Sequence, residues 1–218
     1  MPETIFRRRT FEANRPAHCE VFDGVRLQPS WIGCGLSYLS LARHGLLNGL
    51  KRLTIIEDDA LLPENFEEKM KVVDEYLDTL GEDWDVFAGV IASLHSDVTI
   101  LGVQVYKGIR FVTIDRMTSM VCNVYSERAM RILASWDSQH VDDQTNTIDK
   151  YLERQGNLRV VVALPFFVGH REEVHSTLWG FQNTQYSSLI KESEQKLEAL
   201  VLNSRAIASQ PEVERLAN

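Results

Sequence analysis

Short apolar runs alternate along this chain with longer amphipathic stretches, a pattern that predicts strands separated by helices. Leu53–Ile56 is an apolar run with the composition of a buried strand. Further along, apolar side chains recur at steps of four, three, four and three residues: Phe66, Met70, Val73, Leu77 and Leu80. They form one face of an amphipathic helix, which Gly81 ends before a second predicted strand at Trp84–Val90. The order strand, helix, strand predicts a βαβ unit with parallel pairing.

The remaining periodicity predicts α/β structure along most of the chain. Apolar or β-branched runs predict strands over 120–125 and 158–164, and one or two short strands within 91–118. Helices are predicted over 30–48 with Ser30 as cap, over 126–136 with Ser126 as cap, and over 141–156. Residues 187–210 predict a trailing surface helix. We therefore expect one domain over 1–184 and a helical tail over 185–218.

Composition narrows the class of protein. With 218 residues, 44% of them hydrophobic, the chain can bury the core of a domain without stabilising cross-links. Its formal net charge is −8 at pH 7, which argues against nucleic acid as the main partner because phosphate-backbone binding needs a positive surface. The one tight basic cluster, Arg7-Arg8-Arg9, is interpreted either as a solvated end of the chain or as a contact for one anionic group.

The cysteines and the apolar runs predict a cytoplasmic protein. Cys19, Cys34 and Cys122 are scattered, odd in number and without metal-ligand spacing, as in proteins whose thiols stay reduced. No run reaches the roughly 18 apolar residues of a membrane span, and the amino terminus does not resemble a secretion signal. Peripheral association with a membrane surface stays open as an alternative.

The candidate chemistry begins with three consecutive acids, Glu57-Asp58-Asp59, at the carboxyl end of the first predicted strand. Ligands of open α/β sheets bind at such strand ends. Three adjacent carboxylates repel one another, so the pattern favours a cation that offsets them, and Mg²⁺ or Mn²⁺ bridging a substrate's phosphates is the simplest choice. The alternative is that Asp58 or Asp59 merely caps a helix beginning near Pro63.

Three further positions allow two interpretations each. Gly33 at the start of the helix predicted over 30–48 suggests close approach of backbone to a ligand, or tight packing of that helix. Asp142-Asp143 either complement a helix dipole, or one of them takes a proton from a substrate hydroxyl, with Asp142 preferred. His170 after the strand at 158–164 is either a metal or phosphate ligand or an exposed loop residue.

Several of these pieces occur in the same order in one family. Asp23-Gly24-Val25 is followed by Ile32-Gly33-Cys34-Gly35-Leu36-Ser37, then by Ile55-Ile56-Glu57-Asp58-Asp59, Trp84-Asp85 and Val141-Asp142-Asp143, with Leu164-Pro165 last. Over roughly residues 20–178 the chain resembles the glycosyltransferases of family 25, which include bacterial lipooligosaccharide galactosyltransferases. The glycine-containing helix start combined with Glu-Asp-Asp is the more specific part of this resemblance.

The resemblance implies a nucleotide-diphosphosugar transferase fold of the GT-A kind, with a mixed central sheet flanked by helices. It implies a hexosyltransferase that uses a nucleotide-sugar donor, with UDP-hexose expected, a glycan or glycolipid acceptor, and Mn²⁺ or Mg²⁺. By this analogy Asp59 is a direct metal ligand, Asp58 a second ligand or a sugar contact, and Glu57 a supporting group. His170 is the further candidate for the metal shell, Gly33 and Ser37 are expected in the donor site, and Asp142 or Asp143 is expected to face the acceptor.

The chain also departs from the family pattern. The family's amino-terminal strand is not evident before Arg7-Arg8-Arg9, and Tyr38 stands where the family usually has histidine. At His170 the family more often has glutamine. These departures give a first alternative, a catalytically inactive relative that binds or interacts, and a metal hydrolase is a second. The loop at 169–180, with His175 and Trp179, is interpreted either as a lid over bound donor or as an ordinary surface loop.

Overall fold

A computed structural model of the chain describes residues 5–173, 176 and 183–208. The helices are α1 (Ile5–Asn14), α2 (Ser30–Leu47), α3 (Phe66–Leu80), α4 (Glu127–Ala134), α5 (Ile148–Glu153) and α6 (Thr184–Ala208). The strands are β1 (Arg52–Ile56), β2 (Ala60–Leu61), β3 (Val86–Ala88), β4 (Ile100–Tyr106), β5 (Ile109–Ile114), β6 (Cys122–Ser126), β7 (Val160–Leu164) and β8 (Gly169–His170).

Six strands form one mixed sheet in the order β1-β6-β3-β7-β5-β4. Among the described strands only β3 and β7 pair in parallel, whereas β6 lies antiparallel between β1 and β3. The predicted parallel pairing of the βαβ unit is therefore wrong, because the buried strand β6 takes the place between its two strands. A second sheet consists of β2 and β8 alone, and it brings residues 60–61 and 169–170 together.

The sheet carries helices on both faces. Side chains alternate between the faces along each strand. Phe87, Phe111 and Val161 pack with the α3 face around Val73 and Leu77, and the Tyr76 ring stacks 4.1 Å from that of Phe111. The opposite face packs against α2, α4, α5 and α6. The fold is thus mixed α/β with a central sheet flanked by helices, as predicted.

Most helix predictions are confirmed, with corrections at the ends. α2 and α3 span the predicted segments, and Ser126 Oγ accepts a hydrogen bond from Ala129 N as the predicted cap of α4. Ser30 is the first residue of α2, not its cap. The predicted helix over 141–156 is reduced to α5, because the Asp142 carboxylate instead accepts from Gln144 N and from a threonine hydroxyl in a local turn.

Two elements near the ends of the chain differ from expectation. α6 is not a surface tail over its described length, because Leu197 and Val201 are fully buried in the main core. The first described element is the helix α1, and no strand precedes β1 in the described part of the chain. Residues 209–218, within the predicted tail, lie outside the described residues.

Candidate functional site

Backbone hydrogen bonds hold the three acids Glu57-Asp58-Asp59 at the end of β1. Glu57 N donates to Val121 O at 2.8 Å, and Arg171 N donates to Asp59 O at 2.8 Å. The small sheet of β2 and β8 begins directly after Asp59. The helix-cap alternative for these acids is wrong, because α3 begins only at Phe66 with Asn65 as its N-cap.

Arg7, from α1, contacts two of the three acids. Its Nη2 lies 2.5 Å from Asp58 Oδ1 and 2.6 Å from Asp59 Oδ2. The Arg7 and Asp59 side chains are 8% and 7% exposed, whereas that of Asp58 is 32% exposed. Burial lowers the pKa of Arg7, but the Asp59 and Asp58 carboxylates raise it by more, so the guanidinium stays charged. The interpretation of Arg7 as part of a solvated chain end is therefore wrong.

His170 lies on the other side of Asp59. Its Nε2 is 3.4 Å from Asp59 Oδ2, to which Asn183 Nδ2 also donates at 3.3 Å. Burial lowers the pKa of His170, which favours the neutral imidazole, and its ring packs 4.9 Å from that of Tyr186. The exposed-loop alternative for His170 is wrong, because the two-residue strand β8 buries it beside the acids.

Glu57 has a different environment from its two neighbours. Burial of its carboxyl group, followed by repulsion from Asp59, raises its pKa to about 8. The Tyr38 hydroxyl lies 3.1 Å from Glu57 Oε1 and donates to Met120 O at 2.8 Å. Because a tyrosine has one hydroxyl proton, a protonated Glu57 can donate to the Tyr38 oxygen. A hydrogen bond from Tyr38 and the charge of Arg7 lower the pKa of Glu57, but burial and repulsion from Asp59 outweigh them, so Glu57 stays largely protonated at pH 7.

The arrangement does not fit a divalent cation while Arg7 is in place. Asp58 and Asp59, the predicted metal ligands, both contact the same nitrogen of Arg7. Among residues 5–173, 176 and 183–208, no three His, Cys, Asp or Glu side chains form a group that could hold a metal ion. Asp59 Oδ1 is nevertheless buried and has no hydrogen-bond partner among these residues.

The acids line a cleft of about 2610 Å³ whose lining includes residues of α1, α2, α3, α5 and α6, larger than the roughly 300–1,000 Å³ of common small-molecule pockets. Asp149, at the start of α5, lines the same cleft. Its charge raises the pKa of Cys34, as do the charges of Glu57 and Asp59, although burial is the largest cause. Asp149 therefore lines the same cleft as Glu57-Asp58-Asp59 and lies near Cys34.

Buried hydroxyl groups also line the cleft. Ser119 and Thr147 are 3% and 8% exposed, and their hydroxyl oxygens have no hydrogen-bond partner within the described structure. Buried polar groups of this kind are normally paired. To bind a ligand, these two side chains would have to turn toward the cleft, because their oxygens have almost no accessible surface.

The predicted acceptor-side residues Asp142 and Asp143 lie elsewhere. Neither is among the described residues that line the cleft. Asp142 is exposed, and hydrogen bonds from Thr145 and Gln144 lower its pKa. Their catalytic role stays a prediction that the geometry does not favour, whereas Asp149 lines the cleft.

Gly33 and Ser37 hold the chain around residues 25–27. A Cβ on Gly33 would lie 2.5 Å from Val25 O, so the packing interpretation of this glycine is the one the structure supports. Ser37 Oγ accepts from Val25 N at 2.8 Å and donates to Gly33 O at 2.8 Å. Val25 and Ser37 line the cleft, whereas Gly33 is not among its described lining residues. A donor-site role of Gly33 would therefore act through the segment at 25–27 that packs against it.

Sequence reasoning missed two site residues. Arg7 was noted only as part of a basic cluster, and its partners lie more than fifty residues away in the chain. Asp149 was overlooked in favour of Asp142-Asp143, and the acid in the first turn of α5 was its one available signal. Most of the predicted lid, with His175 and Trp179, lies outside the described residues.

Comparison of the sequence with protein-family models and with curated proteins finds no match. The resemblance to family 25 therefore rests on the residues quoted for it. Within the described ranges, no helix is long and apolar enough to cross a membrane.

Proposed function

We propose that the chain is a glycosyltransferase of the family 25 kind, with a GT-A-like fold, that moves a hexose from a nucleoside diphosphate sugar to a glycan or glycolipid hydroxyl. The observation that supports this proposal is that Asp149 and the acids of the β1 end line one large cleft. Ser119 and Thr147, whose hydroxyls have no partner within the described structure, line the same cleft.

The proposed chemistry needs a base and a leaving nucleotide. Asp149 takes the proton of the acceptor hydroxyl while the oxygen of that hydroxyl attacks the anomeric carbon of the donor sugar. The bond from that carbon to the phosphate oxygen breaks, and the nucleoside diphosphate leaves with the electron pair. Asp58 is partly exposed at the cleft and can accept hydrogen bonds from hydroxyls of the donor.

The donor diphosphate needs positive partners, because acidic side chains outnumber basic ones among the described lining residues. Besides Arg7, the basic side chains of the lining are Arg8, Arg26, Lys71 and Lys150. The family resemblance adds Mn²⁺ or Mg²⁺ as the expected cofactor. In the structure Arg7 contacts both carboxylates that would bind this ion.

A release assay tests this proposal. The chain is incubated with a panel of nucleotide sugars and glycan acceptors, with and without Mn²⁺, and the nucleoside diphosphate released is measured. We expect Asp149→Asn to lower kcat at least a hundredfold, within the usual effect of losing a general base, while the control Asp142→Asn retains activity. Equal activity of the two variants would contradict the role of Asp149.

The second candidate is a catalytically inactive relative that binds nucleotide sugars or interacts with partners. The pairing of Arg7 with Asp58 and Asp59 favours it, because these acids are then neutralised from within the chain. It predicts that nucleotide sugars raise the thermal stability of the protein without any release of nucleoside diphosphate. Release by the wild-type protein would exclude it.

A further inference from the structure

Arg7 holds the place of a cation between Asp58 and Asp59. Its Nη2 lies 2.5 and 2.6 Å from one oxygen of each carboxylate. Calcium ions bind carboxylate oxygens at about 2.3–2.6 Å and magnesium ions at about 2.0–2.1 Å. A metal ion bridging these two oxygens would therefore overlap the guanidinium. We propose that Arg7 is the resident counter-ion of this site and that it competes with a divalent cation for Asp58 and Asp59.

Only one arginine of the basic cluster takes this position. Arg7 is buried, whereas Arg8 bonds to Glu12 and Asp23 on the surface and Arg9 is exposed. The neutralising charge therefore depends on how α1 seats against the acids and not on the basic cluster as a whole. Arg8 provides a matched control, since its removal changes the net charge of the protein by the same amount.

Removal of Arg7 would expose a donor set suited to a hard cation. Asp58 and Asp59 would then face each other without a counter-ion, and the buried Asp59 would lose the charge that offsets it. Asp59 Oδ1 and Asn183 Oδ1 are both buried without a partner within the described structure. His170 Nε2 is 3.4 Å from Asp59 Oδ2. Oxygen atoms with one imidazole suit Mn²⁺ or Mg²⁺.

The competition has a consequence for the proposed enzyme. A donor that arrives with a divalent ion has to displace Arg7 from at least one carboxylate before the ion can bind there. The inference itself does not rest on the proposed function, because it concerns cation binding alone. Metal binding can be measured even if no sugar is transferred, so the two proposals fail separately.

The test is a titration of the metal-free full chain with Mn²⁺. Binding is measured by calorimetry and by the electron paramagnetic resonance signal of free Mn²⁺. Four proteins are compared: wild type, Arg7→Gln, Arg7→Lys and Arg8→Gln. We expect Arg7→Gln to bind Mn²⁺ at least tenfold more tightly than wild type. Arg8→Gln and Arg7→Lys should stay within about threefold of wild type, because each keeps a cation at position 7.

Two results would overturn the proposal. One is equal Mn²⁺ affinity in wild type, Arg7→Gln and Arg8→Gln, which would mean that the ion binds without displacing Arg7. The other is a folded Arg7→Gln variant that binds no Mn²⁺. If Arg7→Gln is unfolded without metal, the proposal requires that Mn²⁺ restore its circular dichroism spectrum, and failure to restore it would count against the competition.

Discussion

Replacement of Glu57 by glutamine should stabilise the protein at neutral pH. The pKa of Glu57 is raised from its ordinary value of 4.5 to about 8. Burial is the larger cause, and repulsion from Asp59 is the next largest. The native protein therefore keeps this proton in a pH range where the unfolded chain releases it. Glutamine has the shape of the protonated carboxyl group without its titration, and its amide can donate to the Tyr38 hydroxyl, which lies 3.1 Å from Glu57 Oε1.

The magnitude follows from linkage. Because the folded pKa lies above the unfolded one, the contribution of Glu57 to the free energy of unfolding is highest below pH 4.5. This contribution then falls by about 1.4 kcal/mol per pH unit until the pH approaches 8. At pH 7 the loss is on the order of 3 kcal/mol. This is an upper limit, because Glu57 is partly exposed and solvent reduces the cost of its charge.

The assay is urea unfolding in buffer with EDTA, at pH steps from 4.5 to 8, for wild type, Glu57→Gln and the exposed control Glu68→Gln. Glu57→Gln should gain stability over wild type as pH rises, by up to about 3 kcal/mol at pH 7, with little difference at pH 4.5. The control should stay within about 0.5 kcal/mol throughout. A difference that does not change with pH would refute the raised pKa of Glu57.

Two further predictions concern packing and capping. A Cβ on Gly35 would lie 2.4 Å from the Trp136 ring, so Gly35→Ala should lower the free energy of unfolding by about 1–3 kcal/mol. Gly102→Ala, with nothing within 4 Å, should change it by less than about 0.5 kcal/mol in the same urea titration; equal effects would contradict the packing. Ser126→Ala removes the cap bond to Ala129 N and should cost about 1 kcal/mol, and an unchanged unfolding midpoint would count against the cap.

Local patterns were sufficient for the elements that depend on nearby residues. The α3 helix has an apolar stripe at helical spacing, and Gly81 with φ of 61° ends it. The sequence likewise predicts the strand β1 and the acids after it, because an apolar run is followed directly by three carboxylates. Side chains in such elements pack according to a period that the sequence itself displays.

The sequence pattern does not show which strands pair when they lie far apart in the chain. The strand β6 inserts between β1 and β3, although β1, α3 and β3 follow one another in the chain. A two-residue strand, β8, brings His170 to Asp59 across more than one hundred residues. Neither arrangement has a local period or turn signal, because each depends on which buried surfaces match after the core forms.

The contact of Arg7 with the acids shows the same limit for the site. A basic cluster and an acidic cluster in one sequence do not show that they meet, since exposed charges usually stay solvated. Asp142 shows the same limit, because its carboxylate accepts a hydrogen bond from Gln144 N in its own turn, a contact that the sequence pattern does not indicate. Which carboxylate faces a cleft is decided by the position of a whole helix, here α5.

The most direct test of the proposed site is a nuclear magnetic resonance titration of the labelled protein with nucleotide sugars, UDP-hexoses first. The account predicts that a bound donor shifts the amide signals of Glu57–Asp59, Asp149 and His170, and leaves those of Asp142 and Asp143 unchanged. Absence of binding by any nucleotide sugar to the folded protein, or shifts confined to residues away from the cleft, would contradict it.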